Sequence, residues 1–455
     1  MPRFAIANTV AAATAAAAAP LWRPGPWLGA LMLVMAGALM LCADDAAALR
    51  EAVECHPRAG LPNVAAKLNA GAPVRIAYFG GSITAANGWR VKTLAWFKER
   101  FPKAGVSEIN AAIGGTGSDL GVYRVGYDVL RAKPDLVFVE FAVNDGGADP
   151  REIRRCMEGI VRQIWSADPS TDICFVYTLT GGMVKDLQEK HFPRAASTME
   201  AVADHYGIPS IHLGLEVVAR ITAGTLVFQA AKPTTDAERA AIGSRLVFSE
   251  DNTHPLDAGH QLYTEVIARH LPALLAGGTA AAHALAPALE ADNYQRATIL
   301  PLERAHPGVG WTKLDPASDP VGKHFAERLP GLYRADAPGT KLSFRFKGTA
   351  ASIYDLVGPD CGEVMVAVDG GAPKPVRRID SYCTYHRLAT LRIASGLPDT
   401  EHRVDLELDA VKLDKAAILF PANRPDLEKN PAKYQGSSWY AGGIMLLGEL
   451  TGPPQ

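Results

Sequence analysis

At roughly 100–200 residues per domain, 455 residues make room for two or three domains. With 48% hydrophobic and 21% charged residues and a formal net charge of -2, the chain reads as an ordinary globular protein, with no basic surface for nucleic acid and no acidic disordered arm. Six scattered cysteines, none in a Cys-x-x-Cys pair, argue against a disulfide scaffold and against a structural zinc site.

The first segment is Ala-rich to residue 20, then carries Arg23 and an apolar run over 27–41 that Asp44 and Asp45 close. That run is shorter than the about 20 residues a membrane span needs. A positive flank, a short apolar core and small residues predict a signal peptide over 1–45, cut after Ala43 or within 46–48. Kept uncleaved, the same segment would anchor the chain to a membrane through residues 27–41. Cys42 resembles a lipid-attachment cysteine, but Leu41 before it is too bulky. Each reading places the mature chain in the periplasm or outside the cell, where disulfides are permitted.

From Pro73 the pattern alternates. Apolar runs at 74–79, 106–113, 135–143, 172–179 and 208–213 predict buried strands. Helical spacing predicts helices over 89–100, 123–132, 151–167, 195–206 and 257–275. Strands that alternate with helices give a parallel sheet covered on both faces, a three-layer α/β/α unit over 46–277. Gly and polar residues collect just after the strands, at the sheet edge where open α/β folds bind ligands. An Ala-rich stretch, 278–293, reads as a linker. Beyond it, short runs at 341–346, 351–356, 363–368, 387–393, 402–408 and 444–450 predict an antiparallel β-sandwich over 294–455. Cys361 and Cys383 in that part could pair after export; Cys156 and Cys174 fall in core-like elements and are expected free.

Three groups of residues suggest chemistry. Ser82 follows Gly80 and Gly81 at a strand-to-helix turn, where its hydroxyl would stand above the sheet edge; a plain helix N-cap is the simpler alternative. A serine hydroxyl needs an adjacent base. His254 can serve if Asp251, three residues earlier, fixes its tautomer. Acyl transfer builds charge on an oxygen, and the N–H of Ser82, the N–H of Gly115 and the Asn144 amide all sit at predicted strand ends where they could meet it. Gly114 is an alternative donor, one residue out of register.

Taken together and in this order, these residues resemble the SGNH, or GDSL-type, hydrolases. The first block of that family, Gly-Asp-Ser, is matched by Gly80, Gly81 and Ser82, with Gly81 in place of Asp. The second is similar to residues 110–116 with Gly115 as the oxyanion glycine. The third, Gly-x-Asn-Asp, is similar to residues 142–145, with Ala142 in place of Gly. Asp251 and His254 supply the last. The resemblance covers about 74–275 and extends to exported bacterial members with an extra β domain. It implies a serine esterase with Ser82 as nucleophile, Asp251 and His254 as relay, Ser82, Gly115 and Asn144 as oxyanion hole, and no metal or cofactor.

Export, the lack of a long apolar lid helix and the β domain point to an acylated, chiefly acetylated, carbohydrate or another small ester as substrate. Tyr382, Tyr385, Trp439 and Tyr440 are candidates for stacking on sugar rings or for the core. A lipase or acyltransferase of the same fold is the alternative enzyme, and an inactive carbohydrate-binding envelope protein the alternative of another class. Asp145 is expected to support the Asn144 turn, and His260 and His212 to be structural.

Overall fold

In the computed structural model, which describes residues 49–452, the chain enters through a two-residue strand, β1 (Cys55–His56), and helix α1 (Pro62–Asn69). The proposed export segment, with Cys42, lies outside the described residues. Among the described residues no helix is long and apolar enough to cross a membrane.

Strand β2 (Val74–Gly80) leads into the short helix α2 (Ser82–Ala85) and α3 (Trp89–Arg100). Next come β3 (Val106–Asn110), α4 (Ser118–Asp128), β4 (Leu136–Glu140), α5 (Pro150–Ala167) and β5 (Asp172–Tyr177). They are followed by α6 (Val184–Gln188), α7 (Arg194–Tyr206), β6 (Ser210–His212) and α8 (Gly214–Thr222). The spatial order is β1-β6-β5-β4-β2-β3. Every neighbouring pair from β6 to β3 is parallel, but β1 runs antiparallel to β6, so the sheet is mixed rather than wholly parallel. Two residues are too few to leave a periodic signal in the sequence.

Alternation sorts the strand residues. Ala77 and Phe79 enter one core with Val122, Ile160 and Met199. Ile76 and Tyr78 enter the other with Trp89, Phe97 and Leu262. Both faces are covered, as near-continuous apolar runs require. The chain steps from β2 out to β3 and returns across β2 to β4, so the switch in strand order falls where β2, β3 and β4 end.

Helix α4 begins five residues before the expected 123, because the Asp145 carboxylate accepts the Ser118 N–H at 2.9 Å and starts the first turn there. Two elements carried no clear sequence signal: strands β7 (Leu226–Gln229) and β8 (Leu246–Ser249) pair with each other in parallel. Between them α9 (Asp236–Ile242) is closed by a capping box of Thr235 and Glu238. Helix α10 (Asp257–Ala276) ends the α/β part.

The second part contains β9 (Ala297–Pro301), β10 (Trp311–Lys313), helix α11 (Pro320–Phe325) and β11 (Tyr333–Ala335). Then follow β12 (Lys341–Val357), β13 (Glu363–Val368), β14 (Lys374–Arg377), β15 (Arg387–Ala394), β16 (Thr400–Leu408) and β17 (Trp439–Gly452). All nine pair antiparallel in one branched sheet. The runs expected at 341–346 and 351–356 are one 17-residue strand. Its first half pairs with β16, its second with β15, and β17 lies along the other side. Two walls thus share their long strands, and Phe344, Ile353, Leu406, Trp439 and Ile444 pack between them. Gly348 and Gly448 permit the contact of β12 with β17: a Cβ on either would sit 2.3 or 2.1 Å from the facing carbonyl oxygen. Tyr294, Ala297, Ala350 and Leu447 pack in the same core as Val122 and Ile160, so the two parts share apolar contacts.

Candidate active site

Strand β2 ends at Gly80, and Ser82 opens α2 with Gly81 in extended backbone between them. The carbonyl of Gly80 accepts the Ile113 N–H at 3.0 Å and Arg124 Nη2 at 3.2 Å. Below the turn lies Glu140, buried at the end of β4. Its two carboxyl oxygens accept the hydroxyls of Thr84 and Thr178, each at 2.8 Å. Burial pushes this carboxyl up to about 7 against the pull of those donors.

Ser82 Oγ lies 2.8 Å from His254 Nε2, and His254 Nδ1 lies 2.6 Å from Asp251 Oδ2. A carboxylate only accepts, so Nδ1 carries the proton and Nε2 is free to take one from Ser82. Asp251 Oδ1 accepts the N–H groups of Thr253 at 3.0 Å and His254 at 2.8 Å and the Ser249 hydroxyl at 3.1 Å. The His254 ring, its N–H and these further donors hold the Asp251 carboxyl well below the usual carboxylate range. The loop is pinned from below. Gly181 donates its N–H to the Asn252 carbonyl at 3.0 Å, and a Cβ on Gly181 would fall 1.9 Å from Asn252 Oδ1. About half of the His254 side chain is exposed, so the dyad faces an open surface.

The loops after β3 and β4 close on the same serine. A Cβ on Gly114 would sit 3.5 Å from Ser82 Cβ, while Gly115, at φ +74°, faces open space. The Asn144 side chain lies against Gly81, where a Cβ would fall 2.1 Å from Oδ1. Asp145 ties this turn to the start of α4 through Ser118, and burial pushes its carboxyl up to about 6. Ser82, Asp251 and His254 are therefore joined by hydrogen bonds, with Asn144 against the neighbouring Gly81 and Gly114, the residue before Gly115, beside the serine.

The other residues singled out have structural surroundings. His260 Nδ1 accepts the Trp89 N–H at 3.3 Å, its ring fills the space beside Gly88, and burial pushes it down to about 4. His212 accepts the Gly214 N–H at 3.1 Å, stacks on Phe192 and is pushed down by burial to about 3. Cys156, Cys174, Cys361 and Cys383 are buried free thiols. Asp360, Cys361 and His386 could hold a metal by proximity. However, Asp360 is already bonded to His386 Nε2 at 2.7 Å and to the Tyr440 hydroxyl at 2.6 Å, which gives the group a structural role. Of the candidate stacking residues, Tyr382 and Tyr385 are exposed, whereas Trp439 and Tyr440 are buried and belong to the core.

Sequence reasoning passed over Glu140, Arg124 and Arg328. Glu140 had a readable signal, a lone charge in the apolar run 135–143, since a buried carboxyl must find donors. Arg328 had none, because its partner is a distant backbone carbonyl; Arg124 pairs with Asp128 on its own helix, but its bonds to the Ala111 and Gly80 carbonyls left no mark. Beside the serine runs a cleft of about 910 Å³, walled on one side by Ala85, Ile113 and Gly114 and on the other by Pro320, His324 and Leu388.

Residues 78–262 match the family model of the GDSL-like Lipase/Acylhydrolase family. No curated protein matches the chain. Among solved structures, the fold is similar to that of a two-domain esterase active on acetylated mannans. Co-crystallised with mannopentaose, that enzyme is 19% identical with a TM-score of 0.63, over 88% of this chain and 97% of that one. A second structure of a two-domain esterase so described gives 20% identity and a TM-score of 0.63 over 88% and 98% of the two chains.

Proposed function

We propose that this protein, whose residues 78–262 match the model of the GDSL-like Lipase/Acylhydrolase family, is an ester hydrolase that removes small acyl groups, acetyl first among them, from a carbohydrate. The observation that carries the mechanism is the hydrogen-bonded chain from Asp251 through His254 to Ser82, at 2.6 and 2.8 Å.

In this reading Ser82 Oγ attacks the ester carbonyl carbon while His254 Nε2 takes its proton. Asp251 stabilises the imidazolium and keeps the ring in place. The N–H groups of Ser82 and Gly115 and the Asn144 amide receive the oxyanion. Such donors are typically worth about 2.7–4 kcal/mol each. The C–O bond to the sugar then breaks, and His254 returns the proton to the departing alkoxide. A water, deprotonated by His254, cleaves the acyl-enzyme and frees the acid and Ser82. The open cleft, with walls from both parts of the chain, suits a sugar with a short acyl branch better than a long acyl chain, which would call for an enclosed apolar channel.

The test is hydrolysis of p-nitrophenyl esters of rising chain length, followed by acetate release from acetylated mannan and xylan. Acetylated mannan comes first, as the substrate class of the two-domain esterase with the same architecture. Turnover confined to short esters and abolished in Ser82→Ala is expected. A Ser82→Ala protein that still hydrolyses them would overturn the assignment, and a preference for long chains would replace it with a lipase.

A further inference from the structure

The loop over residues 111–117 presents a pattern of held and free backbone groups. The N–H of Ala111 goes to the Tyr78 carbonyl at 3.0 Å, that of Ala112 to Asn110 Oδ1 at 3.2 Å, and that of Ile113 to the Gly80 carbonyl at 3.0 Å. The three carbonyls are held as well. Arg124 donates to Ala111, Arg328 Nη1 donates to Ala112 at 3.0 Å, and the Thr116 hydroxyl donates to Ile113 at 2.8 Å. After Ile113 the pattern changes: among the described residues nothing takes the N–H of Gly114 or Gly115. A peptide plane is rigid, so holding the carbonyl of one residue aims the N–H of the next. The peptide between Ala112 and Ile113 is clamped at both ends, by Arg328 on its oxygen and by Gly80 on its nitrogen. It is the last plane held at both ends before Gly114, which lies against Ser82, and Gly115.

Two of the three carbonyl donors come from the α/β part. Arg328 comes from the other part, five residues before β11 begins at Tyr333, and it lies along the cleft beside Gly114. Among the described residues it forms no ion pair, which leaves its guanidinium to the carbonyl. A second bond joins the same surfaces nearby, from the Tyr127 hydroxyl to the Leu329 carbonyl at 3.2 Å, but it does not touch the loop.

We propose that Arg328 is a positioning residue for ester hydrolysis: by holding the Ala112 carbonyl it fixes the peptide plane that precedes the Thr116-held plane of Ile113 and Gly114, and so keeps the loop that carries the Gly114 and Gly115 N–H groups in place for the oxygen that becomes charged in the transition state. This rests on the hydrolase reading above. It makes the second part of the chain a component of the oxyanion site, beyond any role in holding substrate. A group that acts only on the transition state changes kcat and leaves KM alone.

The experiment uses the full chain with p-nitrophenyl acetate, a substrate too small to span the cleft, and compares wild type with R328M, R328K and Y127F. Fluorophosphonate labelling of Ser82 and thermal melting are measured alongside. For R328M a fall in kcat of about 10-fold or more is expected, below the 10²–10³ that loss of a whole donor costs. KM should stay within about twofold, R328K should fall between R328M and wild type, and Y127F should match wild type. Wild-type kcat in R328M overturns the proposal, as does a rise in KM with kcat intact. So does an equal loss in Y127F, which would assign the effect to docking of the two parts. If R328M does not fold, R328K decides by the same split, reduced kcat at constant KM for the proposal and wild-type kcat against it. Failure of the hydrolase reading looks different: wild-type Ser82 is then neither labelled nor active, and the proposal falls with it.

Discussion

Gly81 stands where the GDSL pattern has Asp, and the structure fills the vacated space with the Asn144 amide. An alanine at 81 would put its Cβ 2.1 Å from Asn144 Oδ1, where ordinary contact begins at 3.4 Å. The backbone of Gly81, at φ -90° and ψ -154°, accepts an alanine, so the collision falls on Asn144 alone. The amide must withdraw by about 1.3 Å, and a misplacement of about 1 Å in a catalytic constellation can cost about 10²-fold. We therefore expect Gly81→Ala to lower kcat on p-nitrophenyl acetate about 10²-fold, with KM and melting temperature little changed. The same substitution in an Asn144→Ala background should cost almost nothing more, since the group it displaces is gone. Wild-type kcat in Gly81→Ala would refute this account of the turn. So would a double variant whose loss is the product of the two single losses.

Asp251→Asn keeps an acceptor for the Thr253 and His254 N–H groups but no longer favours the Nδ1–H tautomer of His254; kcat should fall by up to about 10⁴-fold with the melting temperature nearly unchanged, and an activity loss under tenfold would remove Asp251 from the relay. For Glu140 the folded state binds its proton more tightly than the unfolded state does, so its contribution to stability is complete below about pH 4.5 and is lost as pH rises through about 7. Urea unfolding at pH 5 and pH 8 should show this fall, of at most about 3 kcal/mol, and Glu140→Gln should flatten it; an unaltered pH slope in the variant would refute the assignment. A chain ended at 293 would leave the shared core without Ala297, Ala350 and Leu447. One buried Leu is worth about 1.5–3 kcal/mol against a total of about 5–15. Residues 49–293 alone should thus melt lower and turn over more slowly, and equal melting and kcat would show that the α/β part stands by itself.

What could be read from the sequence was what recurs along it. Residues 74–79 and 172–179 announced buried strands because alternate residues face two cores, as Ala77 with Phe79 and Ile76 with Tyr78 do. The candidate site residues were legible because each follows such a strand or sits at fixed spacing from its partner. Ser82, Gly115 and Asn144 end three neighbouring strands, and Asp251 and His254 share one loop. Less legible was whatever depends on contact between distant segments. Cys55 and His56 form a strand only because Ile211 and Ser210 offer an edge. The runs 341–346 and 351–356 looked separate because residues 347–350 interrupt the alternation, and only the close passage of Gly448 past Gly348 shows that one strand continues through them.

The same distinction applies inside the site. A nucleophile, a base and a carboxylate are side chains, and side chains leave a mark at a position. An oxyanion hole is largely backbone, and backbone is aimed by whatever holds the neighbouring carbonyls. Here the aiming groups are Arg124 at Ala111, Arg328 at Ala112 and Thr116 at Ile113. Arg124 also reaches the Gly80 carbonyl and packs its guanidinium 4.5 Å over the Phe79 ring, so one buried cation couples the nucleophile turn to the oxyanion loop. Neither arginine sits within a block that carries the chemistry, and Arg328 is more than 200 residues from its acceptor. On the reading proposed above, the second part of the chain contributes to that geometry through Arg328, and substitutions at this contact should register in kcat before they register in substrate binding.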